Sequence, residues 1–149
     1  PDNTSTIFCG RIVDLGENVG LCTSLNAAIP YIEDSTAPAA ITSMWTFPSS
    51  PANNNNPVVG GVAQENTGIT VYTNATCDGG PTWTGNASTF AAGAGQGIAV
   101  SVSDNTKTTF YALSTDDAGN RSACSPTGVE YVEDGLAPDA AANVAINPT

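Results

Sequence analysis

Two stretches of the chain are versions of one another. Residues 104–138 read DNTKTTFYALSTDDAGNRSACSPTGVEYVEDGLAP, and residues 2–38 read DNTSTIFCGRIVDLGENVGLCTSLNAAIPYIEDSTAP. Asp2, Asn3, Thr4, Thr6, Phe8, Asp14, Asn18 and Cys22 recur as Asp104, Asn105, Thr106, Thr108, Phe110, Asp116, Asn120 and Cys124. After a two-residue difference in length, Tyr31, Glu33, Asp34, Ala37 and Pro38 recur as Tyr131, Glu133, Asp134, Ala137 and Pro138. A block recurring at about 100 residues marks an array whose unit is one small β-domain rather than one turn of a solenoid. The expected division is residues 1–34 as the tail of a preceding unit, 35–134 as a complete unit, and 135–149 as the first strand of the next. On that reading the chain opens mid-unit, as a mature piece of, or a window on, something longer.

Between the two copies lies enough chain for a core, since a domain of about 100 residues buries one. Apolar residues alternate with Thr and Ser in short runs, the pattern of strands with one buried face. Residues 98–103 set Ile98, Val100 and Val102 on one face, and 69–74 do the same with Ile69 and Val71. The other strands expected are 6–13, 19–32, 39–47, 58–64, a short one around Trp83, 108–115 and 121–132. Turns are read at 14–18, 65–68 and the Gly-Gly-Pro near 80, and loops at 48–57 (PSSPANNNNP) and 91–97. The proline- and asparagine-rich loop cannot be a central strand. No stretch has the 3.6-residue period of a helix, and no connection is long and amphipathic enough for a βαβ crossover. Seven short strands in the complete unit predict an all-β, antiparallel β-sandwich of immunoglobulin type. Its core is expected from Val59, Ile69, Val71, Ile98, Val100, Val102, Phe110 and Ala112, with Trp45 and Trp83 packing in the core or against loops.

Charge narrows the function. Fourteen acids face only Lys107, Arg11 and Arg121, and there is no histidine, for a net charge of −11. Nucleic acid, whose phosphates need a basic footprint, is excluded as a partner, and so is an anionic membrane surface. No run approaches the roughly 20 apolar residues of a membrane helix. The same balance favours solubility and divalent cations.

The four cysteines include no C-x-x-C and have no histidine to join them, which argues against zinc and for disulfides in an oxidising compartment. Four cysteines allow three pairings. Cys77–Cys124 lies within the complete unit. Cys9–Cys22 would close a hairpin about the 14–18 turn, with arms of similar length placing the two nearly opposite. Cys22 aligns with Cys124, so an equivalent of Cys77 in a preceding half-unit is the competing partner.

Several phrases in order carry a resemblance: SPANNNNPVVGGVAQENTGITVYTNATC, then DNTKTTFYALSTDDAGNRSACS, then VEYVEDGLAP. Over residues 35–138 the chain resembles the bacterial immunoglobulin-like domains of large tandem-repeat surface proteins. The resemblance implies an extracellular sandwich strung with copies of itself into stalks, adhesins or fibres. The first copy departs from the pattern at GRIVDLGEN, where the second has ALSTDDAGN, and at Cys9. Some surface domains of this kind carry a Lys–Asn isopeptide staple, for which Lys107 is the one candidate lysine.

Catalysis has little to build on. Without histidine, Ser–His and Cys–His arrangements are absent, and the acids fall at turns and linkers. The chain is therefore read as a non-enzyme. Calcium at the joint between units is the sharper expectation. In an immunoglobulin-type sandwich the turn between the last two strands lies at the entry end. Asp116, Asp117 and Asn120 would then lie near Glu33 and Asp34 of the preceding linker. Asp104 and Asn105 would lie at the exit end near Glu133 and Asp134, and Asp2 and Asn3 near Glu33 and Asp34. Carboxylates converging from two units could supply the six to eight oxygens that calcium takes. The competing reading is that Asp-x-x-Gly-Asn is a good β-turn sequence by itself. N-x-S/T sequons stand at Asn3, Asn74, Asn86 and Asn120.

The expected function is a structural or adhesive segment of an extracellular, cell-surface array, a stalk or filament shaft whose partners are neighbouring copies of the unit. The alternative is a carbohydrate- or receptor-binding module with a glycan or cell-surface ligand on its end loops.

Overall fold

A computed structural model describes residues 2–22, 29–80, 82–91, 93 and 95–140. Expectations for 23–28, for the isolated positions 81, 92 and 94, and for 141–149 of the trailing segment lie outside the described residues. Those described form nine strands in three antiparallel sheets and a single helical turn. β1 (Ser5–Phe8) and β2 (Ile29–Ile32) make a two-stranded sheet by themselves. β3 (Ser43–Phe47), β4 (Val58–Val62) and β7 (Ile98–Ala99) form a three-stranded sheet. β5 (Gly68–Tyr72), β6 (Thr82–Asn86), β8 (Lys107–Thr115) and β9 (Val129–Val132) form a four-stranded sheet in the order β6-β5-β8-β9.

One hydrophobic core takes residues from both larger sheets: Val59 and Ile98 from one, and Ile69, Val71, Phe110, Ala112 and Tyr131 from the other. Strand alternation accounts for the division of β8. Phe110 and Ala112 face this core, while Leu113 joins Tyr72 and Cys77 in a second cluster on the opposite face. The expected core residues are all here, although Val102 is only partly buried against it. Trp83 meets Phe110 edge-on, with ring centroids 5.8 Å apart.

Several expected strands are shorter, 6–13 reduced to Ser5–Phe8, 39–47 to Ser43–Phe47 and 121–132 to Val129–Val132, and three further features differ from the expected pattern. Residues 98–103 contribute only a two-residue strand, because Val100 and Val102 donate instead to the carbonyls of Pro57 and Asn55 in the loop alongside. The 48–57 loop is less irregular than its composition. Its Ala52 forms a parallel bridge to Glu133, and Tyr131 reaches it with a hydroxyl bond to the Asn54 carbonyl (2.8 Å). It thus acts as an edge along β9, a place where proline is tolerated. Finally, a helical turn, α1 (Ala87–Phe90), stands where the sequence pattern predicts none. Asn86 caps it by accepting from the Thr89 N–H (2.8 Å), as N-cap asparagines do. This turn carries Phe90 into the core.

α1 also explains the glycine pair of β4. A Cβ on Gly60 would sit 2.5 Å from the Trp45 indole nitrogen, and one on Gly61 would strike the Phe90 ring. Glycine usually weakens a strand, and here it admits two aromatic rings.

Both disulfides are formed, Cys9 with Cys22 and Cys77 with Cys124. They fit an oxidising, non-cytoplasmic environment. No helix of the described residues is long and apolar enough to cross a membrane. Lys107 pairs with the Glu130 carboxylate at the surface instead of with an asparagine.

Candidate functional site

The two copies of the repeated block share their strand register and several of their turn and hairpin hydrogen bonds, although their disulfides differ. β1 pairs with β2 from Ser5↔Ile32 onward, and β8 with β9 from Lys107↔Val132 onward. Val13 bridges Val19 as Thr115 bridges Arg121. The Glu33 carboxylate accepts the Asn3 N–H at 2.6 Å, and the Glu133 carboxylate accepts the Asn105 N–H at 2.6 Å. The Asn3 side chain accepts from the Ser35 N–H, and that of Asn105 from the Gly135 N–H. Asn3 and Asn105 both hold positive φ, +55° and +52°, a conformation asparagine tolerates better than most residues. The Asp34 and Asp134 carboxylates each cap the N–H two residues on, in Thr36 and Leu136.

The turns at 14–18 and 116–120 repeat a further arrangement. In each, one carboxylate oxygen of the aspartate accepts the asparagine N–H (2.8 Å) and the other accepts the asparagine amide, at 2.9 Å in the first and 3.0 Å in the second. These bonds favour the ionised form. Asn18 chiefly holds the Asp14 carboxyl below its ordinary value, and Asn120 does the same for Asp116. The last residue before the second asparagine is Gly119 at φ +91°, and its counterpart Glu17 takes φ +62° without being glycine.

The site itself is the linker between the two copies. Asn120 also donates its side-chain amide to the backbone carbonyl of Asp34 at 3.0 Å. The same stretch is held from the other side, because the Asn3 side chain accepts from the Thr36 hydroxyl at 2.8 Å. Just beyond, the Ser114 hydroxyl reaches the Ala39 carbonyl (3.3 Å), and the Ala39 N–H reaches the Gln64 side chain (3.3 Å). Residues 33–39 are therefore tied both to the β1–β2 hairpin and to the β8 end of the larger unit.

The carboxylates expected to hold calcium divide between these local bonds. Glu33 and Glu133 serve their own hairpins, Asp34 and Asp134 cap their own backbones, and Asp116 is occupied by Asn120. Asp104 accepts from the Asn55 amide at 2.7 Å. Asp117 turns to a separate open cleft of about 390 Å³, with Asn66, Asn86 and Ser88. Among the described residues no three His, Cys, Asp or Glu side chains gather as a metal site. The structure thus brings Asn120 to Asp34, Asn3 to Glu33 and Asn105 to Glu133. It does not bring the acids of two units onto one point.

Glu133 is only 2 % exposed, and a glutamate beside an aspartate ahead of a linker has the sequence of a solvated pair. Its recurrence as Glu33 is the one signal that singles it out. The roles of Ser35, Thr36 and Asn55 have no such signal, since short polar residues in linkers look alike in sequence. The cleft beside Asp117 has no aromatic ring in its lining. Comparison with family models, curated proteins and solved structures returns no match.

Proposed function

We propose that this chain is a segment of an extracellular structural array of immunoglobulin-like units, a stalk or filament shaft, whose working part is the joint between units. The observation that carries the reading is the Asn120–Asp34 bond, made by a turn that the chain repeats at Asp14–Asn18. A joint pinned by the unit's own turn fixes the angle of one unit on the next, which is what a shaft requires.

The strand layout supports the immunoglobulin-like part. Counting from β3, the first, second and fifth strands share one sheet, and the third, fourth, sixth and seventh share the other. Sandwiches of this kind divide their strands in a similar way, with the sixth and seventh beside the third. The segment after β3 crosses to the edge of β9, as a first strand shared between two sheets does. The Cys77–Cys124 disulfide differs from the inter-sheet bond of antibody domains, because both cysteines cluster with Tyr72 and Leu113 on one sheet's outer face. An oxidising, extracellular setting and neighbouring units as partners follow from the same reading.

Electron micrographs of the assembled protein test it. Thin rods with a regular bead per unit are expected. Isolated globular particles, or specific saturable binding on a glycan array, would instead favour a ligand-binding module.

A further inference from the structure

Phe8 and Phe110 occupy equivalent places in two hairpins with the same register, and so do Tyr31 and Tyr131. Phe110 and Tyr131 are both 0 % exposed, whereas Phe8 is 60 % and Tyr31 56 % exposed. Phe8 and Tyr31 still meet each other edge-on, with centroids 6.4 Å apart, but both rings stay open to solvent. Ile12, whose counterpart is the buried Ser114, is likewise exposed. An apolar face of this kind in water is a site awaiting a cover. The cover of its twin is visible: Val59, Ile69, Val71, Ile98 and Trp83, with the Asn54 carbonyl for the tyrosine hydroxyl.

We propose that the β1–β2 hairpin closes a second sandwich, and that a five-strand half of the kind formed here by β3–β7 covers its Phe8–Tyr31 face. That half belongs to the neighbouring unit of the same array, so the proposal rests on the array reading. This chain's own half is already closed by β8 and β9. The linker after the leading hairpin is held at Asp34 by Asn120, whereas β9 (Val129–Val132) is followed by Glu133, which bridges Ala52.

The cysteines sharpen the identity of the cover. Cys22 stands where Cys124 stands, yet its bond goes to Cys9, which occupies the place of Tyr111. The covering half therefore needs no cysteine at the position of Cys77. In the leading hairpin both cysteines belong to the hairpin itself, whereas Cys124 takes its partner from the segment that follows β5.

Complementation between full-length chains tests the proposal. The acceptor carries Phe8→Asp and Phe110→Asp, so that it can neither donate its leading hairpin nor close its own half. The donor is the unaltered chain. Mixing should give an equimolar complex of twice the chain mass by native mass spectrometry, with β-signal regained by the acceptor, even where the acceptor alone does not fold. A donor carrying Phe8→Asp should give none. Absence of a complex with the unaltered donor, or equal complex with the Phe8→Asp donor, would overturn the proposal. Micrographs lacking rods would remove the array reading without deciding this outcome, so the two failures are separable.

Discussion

The side-chain amide of Asn120 donates to the backbone carbonyl of Asp34 across 86 residues of sequence. The same amide nitrogen also donates to Asp116, so one residue both shapes its turn and touches the linker. A hydrogen bond of this type contributes about 1 kcal/mol net, which is small for stability but enough to select one orientation among several.

Glu133 and Glu33 make the same bond in different surroundings. Glu133 is buried, so Glu133→Ala removes a buried side chain together with its part-buried bond to the Asn105 N–H and should destabilise the unit by about 1–3 kcal/mol. Glu33 is less buried, and Glu33→Ala should lower the same unfolding transition by less than about 1 kcal/mol. Urea denaturation followed by tryptophan fluorescence checks both, and equal losses would contradict the difference in burial.

Phe110 and Phe8 form a second contrasting pair. Phe110→Ala removes a ring at the centre of the core and should cost about 3–5 kcal/mol. Phe8→Ala, in the isolated chain, should leave the unit's melting midpoint almost unmoved, because the ring is exposed. Thermal melts by circular dichroism separate the two.

Acid and alkali should act at different places. Asp14 and Asp116 are held below the ordinary 3.8 in the folded chain by their asparagine partners. Their stabilising contribution is therefore present above the unfolded value and is lost as the pH falls through the folded one. Loosening of both turns below pH 3.8 should appear as shifts of the Asn18 and Asn120 side-chain amide resonances. Tyr131 behaves in the opposite sense. Burial first, and the Glu133 carboxylate second, raise its phenol above 10.0. Its contribution is complete below the unfolded value and is lost as the pH rises through the folded one. Unfolding in alkali should accordingly track tyrosinate absorbance.

Calcium should change little. The carboxylates of the joint are taken up by backbone and asparagine donors of the chain itself. Melting midpoints in millimolar calcium and in excess chelator should coincide. A clear rise with calcium would mean that these carboxylates rearrange to bind it.

The two hairpins are legible in the sequence because the block that forms them recurs. Tyr31 and Tyr131, or Glu33 and Glu133, announce two equivalent hairpins by their recurrence alone. The alternation of Ile98 and Val100, or of Phe110 and Ala112, identifies the inner faces, since a strand sends every second side chain the same way. α1 is not legible. It is a single turn set by the Asn86 cap, too short for a periodic signal, and the burial of Phe90 is hidden with it. The edge run at Ala52 is masked by its prolines, which exclude a central strand and leave an edge open. The joint is half legible. The approach of the Asn120 turn to the linker follows from topology, but the acceptor is a main-chain carbonyl, which any residue at position 34 would offer.

Residual dipolar couplings of the β1–β2 hairpin and of the larger unit test the pinned joint most directly. Both sets should fit one alignment tensor in the unaltered chain, and Asn120→Ala should divide them into two. Two independent tensors in the unaltered chain would contradict a pinned joint.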